Sequence, residues 1–155
     1  MIYTLMMNIF IIVLFGLEMR DNNLNQTTSI KVVLVGESNT GKTSIINRFC
    51  SDVFNEETHV TVGCSCFSRT IEVAPLQKVK LKIWDTAGQE TYRSINKIFY
   101  KEAKIVIFVY DITNIKSFKE IGCYWLNEVR NTVDEDTGKL HIYIYMLYSL
   151  CNCRK

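Results

Sequence analysis

Proline is almost missing from this sequence, with one residue, Pro75, among 155, and glycine is sparse at seven. The positions of so few chain-breakers therefore carry information. An excess of one charge is missing too. Eighteen Lys+Arg stand against sixteen Asp+Glu, a formal +2, which excludes the basic footprint of a nucleic-acid binder. A secretory leader is also lacking, because the apolar start has no basic n-region and no small-residue cleavage site. Zinc spacing is absent: Cys64-x-Cys66 and Cys151-x-Cys153 are not C-x-x-C pairs, and His59 and His141 belong to no metal motif. No internal repeat is found. What remains is a chain with 48% hydrophobic residues, too apolar for disorder and of a size for one globular domain at most. Its six cysteines read as free thiols in a reducing compartment, since a chain of this length builds a core without staples, and no disulfides are expected.

Met1–Leu17 is uncharged and largely apolar, at the lower limit for a membrane-spanning helix, which needs roughly 20 residues. Three readings stay open: an incorrectly assigned start with translation beginning at Met19, an anchor, or a tail. Arg20–Ser29 is polar and reads as a linker, so residues 1–29 are set apart from a domain over 30–155. From Ile30 the pattern is regular. Ile30–Val35 and Ile105–Tyr110 are short apolar, β-branched runs suited to buried parallel strands. Lys42–Cys50 predicts a helix with Ile45, Ile46, Phe49 and Cys50 on one face. Arg69–Val73 and Val79–Trp84 read as strands joined around Pro75. Ser117-x-x-Glu120 reads as a capping box, with Phe118, Ile121, Trp125 and Val129 following at helical spacing. Leu140–Cys151 reads as one more strand. The alternation predicts an α/β fold, a doubly wound, mostly parallel sheet.

Gly36-Glu-Ser-Asn-Thr-Gly41-Lys42-Thr43 fits G-x-x-x-x-G-K-[ST] between a predicted strand and a predicted helix, the context of a P-loop nucleotide-binding domain. The two glycines let the backbone curl so that successive N–H groups converge on phosphate oxygens, and the helix adds its positive end. Candidate nucleotide contacts are Gly36, Ser38, Asn39, Thr40, Gly41, Lys42, Thr43 and Ser44. Lys42 is placed to reach the β- and γ-phosphates and the Thr43 hydroxyl to join Mg²⁺. The competing reading is a glycine turn with an adjacent lysine. Trp84-Asp85-Thr86-Ala87-Gly88-Gln89-Glu90 follows another strand. There Asp85 can hold a metal from the side opposite Thr43, Gly88 can offer its N–H to a γ-phosphate, and Gln89 can orient a water.

GESNTGKT, WDTAGQE and Tyr110-Asp111-Ile112-Thr113 together resemble the small GTPases of the Ras superfamily, most of all the Rab branch. Tyr92-Arg93-Ser94-Ile95, Phe99-Tyr100-Lys101-Glu102-Ala103 and Trp125-Leu126 are similar to that branch's wording, and the resemblance runs from about Ile30 to about Arg130. It implies a switch that binds GTP and GDP, hydrolyses GTP with Mg²⁺ and controls vesicle traffic. It also implies effector, exchange-factor and GTPase-activating partners, and a place in the cytoplasm or on the cytosolic face of an endomembrane, with membrane association. Thr61, in Thr61-Val62-Gly63, falls where the family has the threonine that binds Mg²⁺ and senses the γ-phosphate; an ordinary strand-start threonine is the alternative. Gln89 matches the family's catalytic, water-positioning glutamine, Asp85 its metal aspartate and Gly88 its γ-phosphate glycine. Four of the seven glycines (Gly36, Gly41, Gly63, Gly88) lie in these segments. No arginine in the matched motifs stands at a finger position, so the resemblance implies slow hydrolysis without a partner's arginine.

The chain departs from the family in four places. It contains neither Asn-Lys-x-Asp nor a Ser-Ala-Lys loop, so the sequence reads as a GTPase domain whose C-terminal part is missing. Without that aspartate, two charge-assisted bonds to guanine of roughly 1.5–3 kcal/mol each are forgone, about 10²–10⁴-fold in affinity. After Gly63 the Rab pattern places phenylalanine where Cys66 aligns, and one extra residue lies near Pro75 or before Phe67. The prenylation pattern is not met, because a C-a-a-X box needs cysteine at Asn152. The apolar N-terminus is foreign to the family. The competing functional readings are a fragment that no longer binds nucleotide tightly and acts as a protein-interaction module through Trp84 and Phe99, and a P-loop ATPase of another sort.

Overall fold

A computed structural model describes residues 28–53, 60–74, 77–89, 98–132 and 141–147. The elements are β1 (Thr28–Val35), α1 (Lys42–Ser51), β2 (Cys64–Ala74), β3 (Gln77–Thr86), β4 (Ile105–Asp111), α2 (Ile115–Glu120), a π-helical turn (Ile121–Trp125), α3 (Leu126–Thr132) and β5 (His141–Leu147). Strand order is β2-β3-β1-β4-β5, with β2 antiparallel to β3 and the other three pairs parallel. This is the mostly parallel α/β sheet expected. β1 lies in the middle because its residues are buried on both faces. Val32 and Leu34 join Ile45, Ile46 and Phe49 of α1 in one layer. Val33 and Val35 join Tyr100, Phe108, Trp125 and Val129 in the other. Such a strand needs apolar residues at consecutive positions, and IKVVLV supplies them.

The first strand begins at Thr28, paired with Val79, and Ser29 pairs with Lys80. The linker reading of Arg20–Ser29 therefore runs two residues too far. Parallel partners on β3 hold the polar Thr28 and Ser29 in the ladder. The β2–β3 ladder is unbroken from Cys64↔Thr86 to Glu72↔Lys78 and shifts between Glu72 and Ala74. The extra residue thus sits at the hairpin end. Phe67 pairs with Ile83 and packs on the α1 layer, while the exposed Cys66 pairs with Trp84.

The capping box at Ser117-x-x-Glu120 is not formed. The helix starts three residues earlier, with Asn114 as N-cap and its side chain accepting from Lys116 N–H at 3.1 Å. Asn is as strong a cap as Ser and lies at the turn itself. The Ser117 hydroxyl is buried instead, accepting from Asp111 N–H at 3.0 Å and donating to the Asn114 carbonyl at 2.7 Å. Ser117, Ile121, Trp125 and Val129 are all buried, a spacing of four throughout. In a regular α-helix that spacing drifts about 40° per step, and the wider π-helical turn takes up the drift. Phe118 does not join this row. It is 47% exposed, with its ring 4.9 Å from that of Tyr110.

β5 occupies most of the expected Leu140–Cys151 strand. Cys50, Cys64, Cys66 and Cys123 are free thiols. Among the described residues no helix is long and apolar enough to cross a membrane. Met1–Leu17, His59, Pro75, Glu90, Tyr92–Ile95, Cys151 and Cys153 lie outside the described residues.

Candidate functional site

The loop between β1 and α1 owes its course to residues in left-handed backbone: Gly41 at φ 85° and Asn39 at φ 61°, with Gly36 at φ 149°. A Cβ on Gly36 would run into the Val109 carbonyl, so only glycine fits against β4 there. Lys42 opens α1 with its side chain folded back under the loop, its ammonium donating to the carbonyls of Gly36 (2.8 Å) and Glu37 (2.7 Å). The Thr40 hydroxyl donates to the same Glu37 carbonyl at 2.9 Å. Burial pushes the Lys42 ammonium down to about 8, against the pull of Asp85 and Glu37.

At the C-terminal end of β3, Asp85 is 1% exposed and faces the start of α1. Its Oδ2 accepts from the hydroxyls of Thr43 (2.7 Å) and Thr61 (3.3 Å), and those two hydroxyls are 2.9 Å apart. Its Oδ1 is buried with no hydrogen-bond partner among the described residues. Burial raises the Asp85 pKa, opposed by the Thr43 bond, the Lys42 charge and the Thr61 bond. A carboxylate with an unsatisfied oxygen beside two hydroxyls is a donor set suited to a hard, oxygen-seeking cation. Three segments distant in sequence therefore converge on one point.

Gly88 packs directly on the phosphate-type loop. A Cβ there would collide with Ser38 N and the Glu37 carbonyl carbon. Gly63 N-terminal to β2 accepts from Ala87 N–H at 3.0 Å, tying Thr61-Val62-Gly63 to the Gly88 turn. An open cleft lies between these parts. Ser38, Asn39, Gly41, Lys42, Thr43 and Ser44 line it from the loop, facing Thr61 and Gly88. Gly36 and Thr40 do not line it; they shape the loop from behind. Gln89 is half-buried and stands just beyond Gly88.

Sequence reasoning missed two contributors. The Thr86 hydroxyl donates to the Leu34 carbonyl at 2.6 Å, clamping the ends of β3 and β1 that carry both loops. Trp125, 88 positions from Glu37, donates its indole N–H to the Glu37 carboxylate at 3.1 Å. No local signal links these pairs, because parallel strands and crossovers bring them together. Beside the site, Trp84 stacks on Phe99 with ring centroids 5.4 Å apart, and the Lys31 ammonium lies 5.0 Å from the Trp84 ring centre.

Comparison with known proteins gives the lineage of this arrangement. Residues 31–144 match the Ras family. The chain is 43% identical over 110 residues to the Ras-related protein Rab-10 of Caenorhabditis elegans, covering 71% of this chain and 54% of that protein. It is 40% identical over 106 residues to Rab-5B of Plasmodium falciparum, covering 68% and 51%. It is 41% identical over 110 residues to Rab-8A of Bos taurus, covering 71% and 52%. The chain thus spans about half the length of the curated relatives it matches. A match across most of the chain, with one relative after another from the same branch, places it: this chain belongs to the Ras family, in its Rab branch.

Proposed function

We propose that the chain binds GTP and GDP in the cleft and hydrolyses GTP as a switch in vesicle-mediated transport. The observation that carries this reading is the meeting of Thr43, Thr61 and Asp85 at the mouth of the loop, with Asp85 Oδ1 left unsatisfied. The three residues fit Mg²⁺, which would be held by the two hydroxyls and the carboxylate and, when bound, supplies positive charge to the phosphate oxygens.

The chain's own groups do the rest. Loop N–H groups from Ser38 to Ser44 and the start of α1 cradle the phosphates. Lys42, released from the Gly36 and Glu37 carbonyls, offers its ammonium to the β- and γ-phosphates. Thr61 and the Gly88 N–H read the γ-phosphate, and Gln89 orients a water for in-line attack on phosphorus. The attacking water becomes part of inorganic phosphate and GDP leaves. The family's reading calls for a partner's arginine to supply most of the rate, by the general Ras example on the order of 10⁵-fold. Effector, exchange-factor and activating proteins are the partners this reading calls for, on the cytosolic face of an endomembrane.

The test is equilibrium binding of fluorescent GDP and GTP with Mg²⁺, competed by ATP. Wild type should bind guanine nucleotide and Lys42→Ala should bind at least 100-fold more weakly. Binding of neither nucleotide would defeat the reading. A second reading, an interaction module without tight nucleotide binding, is favoured by the Trp84–Phe99 ring pair beside the site. It predicts cooperative unfolding with no shift on adding nucleotide.

A further inference from the structure

Lysine recurs at every second position of β3, at Lys78, Lys80 and Lys82, so all three side chains leave the same face of the sheet. The ladder sets Ser68 of β2 and Lys31 of β1 on either side of Lys82, and Thr70 and Ser29 on either side of Lys80. Ser29, Ser68, Thr70 and the three β3 lysines are all exposed. The buried layer on this face takes in β1 only from Val33 onward, and among the described residues no helix covers the rows before it.

Little offsets this charge. Among the described residues Glu72, opposite Lys78, is the one acid in these rows, and Glu102 acts on Lys31 from the turn before β4. The Lys31 ammonium is turned to the Trp84 ring and the Lys101 carbonyl. Those of Lys78, Lys80 and Lys82 have no ion pair or hydrogen bond among the described residues. Like charges set side by side, as Lys31 and Lys82 are, oppose folding unless an anion joins them. In a chain of formal +2, cations are thus gathered on one face rather than held in overall excess.

We propose that the sheet face carrying Lys78, Lys80 and Lys82 docks on an anionic membrane surface, lipid phosphates and carboxylates meeting its ammonium and hydroxyl groups. This deepens the endomembrane placement proposed above and needs no bound nucleotide. Ammonium and hydroxyl donors together suit anionic oxygens, and a broad sheet face suits a lipid surface. An acidic peptide adding to the edge of β2 would take backbone bonds and leave the lysine rows untouched.

The test is co-sedimentation of the full chain with vesicles of phosphatidylcholine alone, or mixed in equal parts with phosphatidylserine. Wild type should prefer the anionic vesicles, and added salt should remove the preference. Each lysine at an anionic leaflet contributes roughly fivefold, so Lys80→Gln with Lys82→Gln should lose about 25-fold. The same change of charge on α2, Lys116→Gln with Lys119→Gln, should lose less than about threefold. Binding to neutral vesicles, which reads any contribution of Met1–Leu17, should be equal in all three proteins. Unchanged GDP affinity in the β3 variant shows that its fold is intact. Equal losses in the two variants, no preference for phosphatidylserine, or capture of poly-glutamate without vesicle binding would each overturn the proposal. If wild type binds nucleotide but not anionic vesicles, this inference alone fails; if it binds anionic vesicles through β3 but no nucleotide, the nucleotide reading alone fails.

Discussion

The Thr43 hydroxyl and the Asp85 carboxylate lie 2.7 Å apart across 42 positions of sequence, joining the first turn of α1 to the end of β3. The bond satisfies Oδ2 and leaves Oδ1 bare, so the pair is balanced against the fold and in favour of a cation. A buried carboxylate with an open oxygen destabilises the chain that carries it. Asp85→Asn should therefore keep or raise the stability of nucleotide-free protein, by up to about 1 kcal/mol, while abolishing any Mg²⁺-dependent gain in nucleotide affinity. Thermal unfolding with and without Mg²⁺ and GDP reads both. A variant that unfolds well below wild type would show that the carboxylate serves the fold.

Lys42 predicts a pH dependence. Burial holds its pKa at about 8 in the nucleotide-free chain, below the ordinary 10.5. Between those values the unfolded chain binds more protons than the folded one, so this group's contribution to stability rises with pH across that window and is least favourable below it. Phosphate demands the reverse, because it binds the ammonium. Nucleotide binding above about pH 8 should take up a proton, and affinity should fall there by at most about tenfold per pH unit. Calorimetry of GDP binding in buffers of different ionisation enthalpy measures the uptake, and a value of zero would contradict the placement of Lys42.

Two glycines should respond in opposite ways to alanine. A Cβ on Gly88 collides with backbone of the loop, whereas one on Gly122 meets nothing within 4 Å. Gly88→Ala should destabilise by roughly 1–3 kcal/mol and displace the loop. Gly122→Ala, inside the helical run, should stabilise by about 0.5–1 kcal/mol. Denaturant unfolding of the pair decides; equal effects would refute the packing described.

Gln89→Leu separates binding from chemistry. GTP affinity should stay within about threefold of wild type, while single-turnover hydrolysis should fall by tenfold or more. Unchanged hydrolysis would remove Gln89 from the water-orienting role.

Asn114→Ala should lower stability by about 1 kcal/mol, more than Glu120→Ala does. The opposite ranking in chemical denaturation would restore the capping box at Ser117.

That capping box shows where sequence reading succeeds and where it stops. Strands such as Ile30–Val35 and Ile105–Tyr110 were legible because burial on both faces demands continuous apolar residues, a signal that lies within the segment. The loop from Gly36 to Thr43 was legible because the backbone curl demands glycine at fixed positions. Ser117 was misread because a serine followed by glutamate suits a cap by pattern, while the side chain that takes the cap is decided by where the preceding turn leaves β4. The extra residue could be narrowed to two places but not one, since either keeps the strands alternating; the ladder, continuous from Cys64↔Thr86 to Glu72↔Lys78 and shifted between Glu72 and Ala74, distinguishes them. The Trp125–Glu37 bond left no trace in the sequence, for it depends on how two layers meet.

The central place of β1 has a consequence for how the chain is made. Among the described strands it is the first to leave the ribosome, yet Val32 pairs with Ile105 and Thr28 with Val79. At synthesis rates of roughly 5–20 residues per second, β1 waits on the order of 4–15 s for β4 to emerge. During that interval β3 emerges and can fill one edge of β1, while the edge that β4 takes stays open to any extended chain nearby. The strand that carries the phosphate-type loop is thus also one whose second edge stays open until late in synthesis.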